Sequence, residues 1–243
     1  MSIQSLRAAM AFLTVIPVAT AEGTSGERLG RAYFPAVGAL LGLVAGIAFA
    51  LAAPVTSPLI AAVAATAVMA VLTGALHLDG LADAADGLFG GGDVARRLEV
   101  MRDSRVGSFG LVAVVLILVG DVAALASMSA PRAIVALVIA GALSRWALLL
   151  VIAAVPYVRQ AGLGVAAGGP HRRFDLVLGS AIAAIVCLLD WRRALAAVLV
   201  AALIAVVVGA IARRRIGGAT GDVYGATAEL SQLGVLVVFA AHL

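Results

Sequence analysis

Positions 77–105 read HLDGLADAADGLFGGGDVARRLEVMRDSR, so Asp79, Asp83, Asp86, Asp93, Glu99 and Asp103 crowd together with Arg96, Arg97, Arg102 and Arg105. Asp79, Asp83 and Asp86 are four and three residues apart. At about 100° per residue they fall within roughly 60° of one another on a helix. Three carboxylates on one face repel unless a cation neutralises them, and carboxylate oxygens with substrate phosphate are the usual ligands of Mg²⁺. The competing reading is a solvated amphipathic helix with Leu78, Leu81 and Ala82 turned to the membrane. Such a face ordinarily mixes charges for i,i+4 pairing, and this one does not. Asp79, Asp83 and Asp86 are therefore expected to be metal ligands and catalytic residues. Arg102 and Arg105 bracket Asp103-Ser104 and offer guanidinium forks that match phosphate oxygens. His77, about 160° from Asp79 on a regular helix, is read either as a general base or as a helix-entry residue. Gly80 and Gly87 allow close backbone approach and free amides for anions, and Gly90-Gly91-Gly92 should end the helix. Asp93 and Glu99 are secondary: one follows the glycine break and the other can pair with a nearby arginine.

A second polar cluster, GGATGDVYGATAE, spans 217–229. Asp222 and Glu229 are seven apart and share a helical face, suiting a second metal contact. The glycines around them, Gly221 and Gly225 included, suit anion binding at a helix entry. It is not a Walker loop, because no Gly-Lys-Ser/Thr follows. Arg145, preceded by Ser144, interrupts an apolar run; a mid-membrane arginine is costly and must face a polar partner. Either Asp121 or an anionic ligand fills that role. Rise along antiparallel spans puts Asp121 about 9 Å and Arg145 about 18 Å from the same end, which strains direct pairing. Residues 159–164 could add a substrate loop.

These groups need a scaffold, and composition names it. The 243-residue chain is 63% hydrophobic and 12% charged, with a mean hydropathy of +1.14. A soluble domain of this size needs far more polar surface. The expected fold is all-α: one polytopic integral membrane helix bundle over 1–243 with about six to seven spans. The apolar runs are 34–53, 59–76, 109–127, 134–155, 176–189, 194–212 and 233–243, the last too short alone unless it begins nearer Glu229. The polar segments are an N-terminal interfacial segment at 1–33, the acidic loop and helix at 77–106, and a second site segment at 213–229. Every basic residue is arginine. Arginines concentrate before the first span, between the second and third, between the fourth and fifth, and after the sixth; Arg132, Arg192 and Arg193 alone lie in the alternate loops. The positive-inside rule then puts the rich segments, and with them the site, in the cytoplasm, in a bacterial or archaeal cytoplasmic membrane. No basic stripe interleaved with aromatics exists to bind nucleic acid. Cys187, the single cysteine, forms no intrachain disulfide. Arg7 followed by an apolar run and Ala19-Thr20-Ala21 imitates a cleavable signal peptide; a retained interfacial helix is expected, with an intact mass beginning at Met1 or Ser2 rather than Glu22.

HLDGLADAADGLFGGG followed by RRLEVMRDSRVGSFG resembles the signature of the cobalamin synthases, also called adenosylcobinamide-GDP ribazoletransferases. FLTVIPV at 12–18, SR at 144–145, GLG at 162–164 and GGATGDVYGATAEL at 217–230 follow in that family's order, so the resemblance covers nearly the whole chain. One departure is visible: Val15 stands where the family usually has arginine in a T-R-x-P-V start. The resemblance implies Mg²⁺-dependent transfer of the cobinamide phosphate from adenosylcobinamide-GDP to α-ribazole or its 5′-phosphate, with release of GMP. It implies Asp79, Asp83, Asp86, Asp222 and Glu229 as metal contacts, and Arg102, Arg105 and Arg145 as phosphate contacts. A homo-oligomer would give the large corrinoid a shared docking surface. Two other readings were weighed on the residues. Asp83-Ala84-Ala85-Asp86-Gly87 copies the opening of the CDP-alcohol phosphotransferase pattern, but Gly90-Gly91 stand where that pattern continues with alanine-arginine. A transporter using Asp121 and Arg145 leaves both carboxylate clusters unexplained.

Overall fold

The computed structural model describes residues 3–18, 30–159 and 172–241. The elements are α1 (Ile3–Leu13), a 3₁₀ turn (Arg31–Tyr33) leading into α2 (Phe34–Ala52), α3 (Pro58–Thr73), α4 (Leu76–Phe89), α5 (Val94–Val100), α6 (Ser108–Ala126) and α7 (Ala130–Ala154), then α8 (Arg172–Cys187), α9 (Trp191–Ile216) and α10 (Gly221–Ala240). The described residues hold no strand, and the fold is the all-α polytopic membrane bundle expected. Five continuous helical stretches are long and apolar enough to cross a membrane, and α3 and α4 reach that length only together, across an 88° bend. The 44-residue stretch Arg173–Ile216 is two legs. Trp146 on α7 donates to Ser180 of α8 at 2.9 Å, while Val155, at the same end of α7, packs on Gly209 of α9. The chain therefore goes out along α8 and returns along α9.

Helix pairing at membrane depth rests on small residues, because lipid provides no hydrophobic drive between helices. Gly38, Gly42 and Gly46 recur every four residues and line one face of α2. A Cβ at Gly38 would sit 2.0 Å from the Gly141 carbonyl oxygen, and one at Gly42 2.0 Å from that of Leu137. Backbone meets backbone, which makes α2–α7 the tight spine of the bundle. Where α8 begins, Arg31 reaches Asp175 at 2.8 Å, both largely buried. The amphipathic α1 lies against this frame, with Phe12 stacked on Phe34 at 5.5 Å and Val15 N–H bonded to the Leu72 carbonyl at 2.9 Å.

Two boundaries differ from the hydropathy reading. The helix of the run 59–76 ends at Thr73, and Leu76 already opens the acidic helix. Gly74 (φ +59°) closes α3, Ala75 (φ +55°) follows in the left-handed region, and α4 leaves at 88° to α3. A left-handed alanine costs about 1–2 kcal/mol, tolerated here because it swings α4 out of the span direction and across one end of the bundle. The last span is not 233–243 but starts at Gly221, where Thr220 caps Val223 N–H. Hydropathy missed this because Asp222, Thr227, Glu229, Ser231 and Gln232 dilute the first half of α10. Glu229 is thereby two turns inside a span.

Candidate active site

The end of the bundle that carries most arginines also carries the acidic helix. Asp93 caps α5 by accepting from Arg96 N–H at 2.8 Å, and Glu99 pairs with Arg96 at 2.8 Å; both are local structure. Buried Arg97 folds back on α4, donating to the Gly87 and Leu88 carbonyls and to that of Gly92 at 3.0 Å. The otherwise orphaned carbonyls at the end of α4 are thus satisfied by a guanidinium.

The site is built where α4 crosses α10. A Cβ at Gly80 would lie 3.2 Å from the Cα atoms of Asp222 and Gly225, and a Cβ at Gly225 would lie 2.9 Å from the His77 carbonyl oxygen. Gly80 and Gly225 pack α4 against α10, and both, with Gly221, line the cleft. The close approach sets Asp79 and Asp83, on either side of Gly80, beside Asp222. Burial and the neighbouring carboxylates of Asp222 and Asp79 raise Asp83 from 3.8 to about 7, against the opposing pull of Arg159. Arg159 pairs with Asp222 at 2.7 Å and donates to the Met101 carbonyl at 3.3 Å. Residues 156–158 are pinned to the entry of α10 by Val158 N–H to Ala219 O and Ala219 N–H to Pro156 O. A cleft of about 210 Å³ opens here, lined by Asp79, Asp222, Arg159 and His77 on its polar side and by Phe12, Leu148, Tyr157 and Tyr224 on its apolar side.

Other expected residues stand elsewhere. Asp86 is engaged differently from its neighbours: its two oxygens accept from Gly107 N–H at 2.7 Å and Gly110 N–H at 2.9 Å. It tethers α4 to the first turn of α6. Arg105 is exposed and bound to Asp103 at 2.7 Å, which holds the Asp103 carboxyl at about 2. Arg102 is exposed at the same end. Glu229 belongs to a separate buried cluster in the bundle. Arg145 is fully buried; its Nη1 bonds Ser144 at 2.9 Å and lies 3.5 Å from Gln232 Oε1, and its Nη2 lies 3.4 Å from His77 Nδ1. Since arginine only donates, His77 Nδ1 is the acceptor there, which leaves the proton on Nε2. The same ring lines the cleft. Asp121 accepts from Gln232 Nε2 at 3.0 Å, so Gln232 bridges the offset between Asp121 and Arg145.

Among the described residues no three His, Cys, Asp or Glu side chains converge on one metal position. Asp79, Asp83 and Asp222 nonetheless form a hard-oxygen set whose charge exceeds that of Arg159. Such a set fits Mg²⁺, which takes one or two carboxylates and completes its shell with water and substrate phosphate.

Sequence reasoning did not single out Arg159 as a partner of Asp222, nor Phe12, Leu148, Tyr157 and Tyr224 as the apolar wall. These come from four separated elements, and no spacing links them.

The family model for cobalamin-5-phosphate synthase matches residues 5–240. The chain belongs to that family. It is 41% identical over 237 residues to an adenosylcobinamide-GDP ribazoletransferase of Stutzerimonas stutzeri, covering 96% of each chain. It is 40% identical over 242 residues to one of Ectopseudomonas mendocina, covering 98% of each. A Bradyrhizobium diazoefficiens protein of the same name is 35% identical over 245 residues, covering 98% of this chain and 94% of the relative. No solved structure matches the chain. The protein is a membrane-embedded transferase of cobalamin synthesis.

Proposed function

We propose that the α4–α10 cleft joins adenosylcobinamide-GDP to α-ribazole or its 5′-phosphate with Mg²⁺ bound, at the cytoplasmic face of the membrane. The observation that carries this reading is the crossing at Gly80 and Gly225, which gathers Asp79, Asp222 and Arg159 along an aromatic wall, with Asp83 close enough to feel all three charges. The names of the relatives supply the substrates. A ribose hydroxyl attacks the phosphorus of the cobinamide phosphate, the diphosphate bond to GMP breaks, and the hydroxyl proton passes to the cluster, of which Asp83 is the raised member. One or two of the carboxylates of Asp79, Asp83 and Asp222 would hold Mg²⁺. When bound, Mg²⁺ supplies charge stabilisation for the phosphate oxygens. Arg159 adds a fixed guanidinium where negative charge grows on the leaving phosphate, and cleft walls that exclude water strengthen both effects. Tyr157, Tyr224 and Phe12 offer flat faces against which a base can stack.

Purified protein incubated with both substrates and Mg²⁺ should release one GMP per corrinoid joined, and chelation of the metal should stop it. Corrinoid flux into liposomes without GMP would overturn the proposal in favour of transport.

A further inference from the structure

The legs α8 and α9 part toward the arginine-rich end, and a groove of about 730 Å³ opens between them against α7. Its wall is aliphatic, with Leu150, Ala154 and Leu176 facing Ala202, Val206 and Ala210. α9 leaves room because it presents alanines and Gly209 where larger side chains would close the gap. The groove is separate from the acidic cleft: Leu148 lines the cleft, whereas Trp146, Leu150 and Ala153 line the groove, on the other side of α7. Two charges break the apolar wall. Arg173, in the first turn of α8, and Arg213, in the last turn of α9, both line the groove, and both are exposed. Among the described residues neither forms an ion pair.

A gap at hydrocarbon depth is filled by something apolar, since water there gains little and loses much. The two arginines decide what fills it. Guanidinium forks match phosphate oxygens, and basic pockets between spans at the cytoplasmic side suit anionic headgroups. A helix from a second copy of the chain would cover two guanidinium groups without a counter-charge, at high cost. We propose that this groove binds one anionic phospholipid, with an acyl chain along the small-residue face of α9 and the phosphate between Arg173 and Arg213.

The test is native mass spectrometry of the delipidated full chain offered equal amounts of dioleoyl phosphatidylglycerol and dioleoyl phosphatidylcholine. The wild type should retain one phosphatidylglycerol per chain, preferred by about tenfold. Arg173→Gln with Arg213→Gln should bring the preference to parity, while Ala210→Phe, which fills the groove, should remove retention of both lipids. If the double variant fails to fold, Arg213→Gln alone is compared with Arg192→Gln at the opposite end; only the former should weaken the preference. Equal retention of the two lipids by the wild type, a preference untouched by loss of the arginines, or a dimer in place of bound lipid would each overturn the proposal.

Discussion

Asp83 is the residue in which sequence spacing and structure meet most directly. Its one-face relation to Asp79 was legible from a four-residue spacing, but its proximity to Asp222 depends on how α10 crosses α4, which no local pattern encodes. The result is a carboxyl raised from 3.8 to about 7. Between those values the folded protein holds a proton that the unfolded chain has lost. This contribution to stability is therefore complete below about pH 4 and is lost as the pH rises through about 7. Thermal melts without divalent cations should fall from pH 5 to 8, and Asp83→Asn should flatten that fall; an equal slope in both proteins would refute the assignment. Asp86 shows the limit of spacing. It shares the face of Asp79 and Asp83, yet its oxygens are taken by two amides of α6, because α6 begins where α4 ends. Asp86→Ala should cost about 1–3 kcal/mol for each amide left unpaired, read as a drop in melting temperature.

At the scale of elements, hydropathy located the spans because each must bury its backbone polar groups internally and carries an apolar surface for lipid. It failed where function intrudes. The acidic helix was expected in the right place but not its angle, which follows from two left-handed residues, Gly74 and Ala75. The last span was expected from 233 or from nearer Glu229, in either case later than its start at Gly221, since the polar half of α10 faces protein and cleft rather than lipid. The α2–α7 spine was likewise hidden, although its every-fourth glycines stood in plain view; a partner helix had to be known before they acquired meaning. Gly42→Ala tests that spine. Its Cβ would meet the Leu137 carbonyl at 2.0 Å, so the helices must separate, at a cost of about 1–3 kcal/mol. A melting temperature equal to wild type would show that the spine is looser than described.

For the molecule as a whole, the bundle does two jobs with different chemistry. Its arginine-rich end presents the cleft, while its interior locks α4, α6, α7 and α10 together through His77, Arg145, Gln232 and Asp121. The charge of Arg145 was legible as an anomaly, and the offset from Asp121 as a strain on direct pairing, but Asp121 and an anionic ligand stayed open as its partner. The bridging role of Gln232 was not legible, because an uncharged side chain in an apolar helix gives no signal until its neighbours are known. Arg145→Met should destabilise the protein by about 1–3 kcal/mol, since it leaves buried Ser144, Gln232 and His77 without their guanidinium partner and removes the positive charge nearest buried Glu229. Adding Glu229→Gln should recover part of that loss in a double-mutant cycle, and strict additivity would show that the two do not interact. In the proposed reaction the Asp79–Asp83–Asp222 cluster carries out the diphosphate cleavage. This role is tested most directly by the rate of GMP release from adenosylcobinamide-GDP and α-ribazole at saturating Mg²⁺, for wild type and a folded Asp83→Asn. Asp83→Asn should release GMP about 10²-fold more slowly or worse; release at the wild-type rate would refute the role of the cluster.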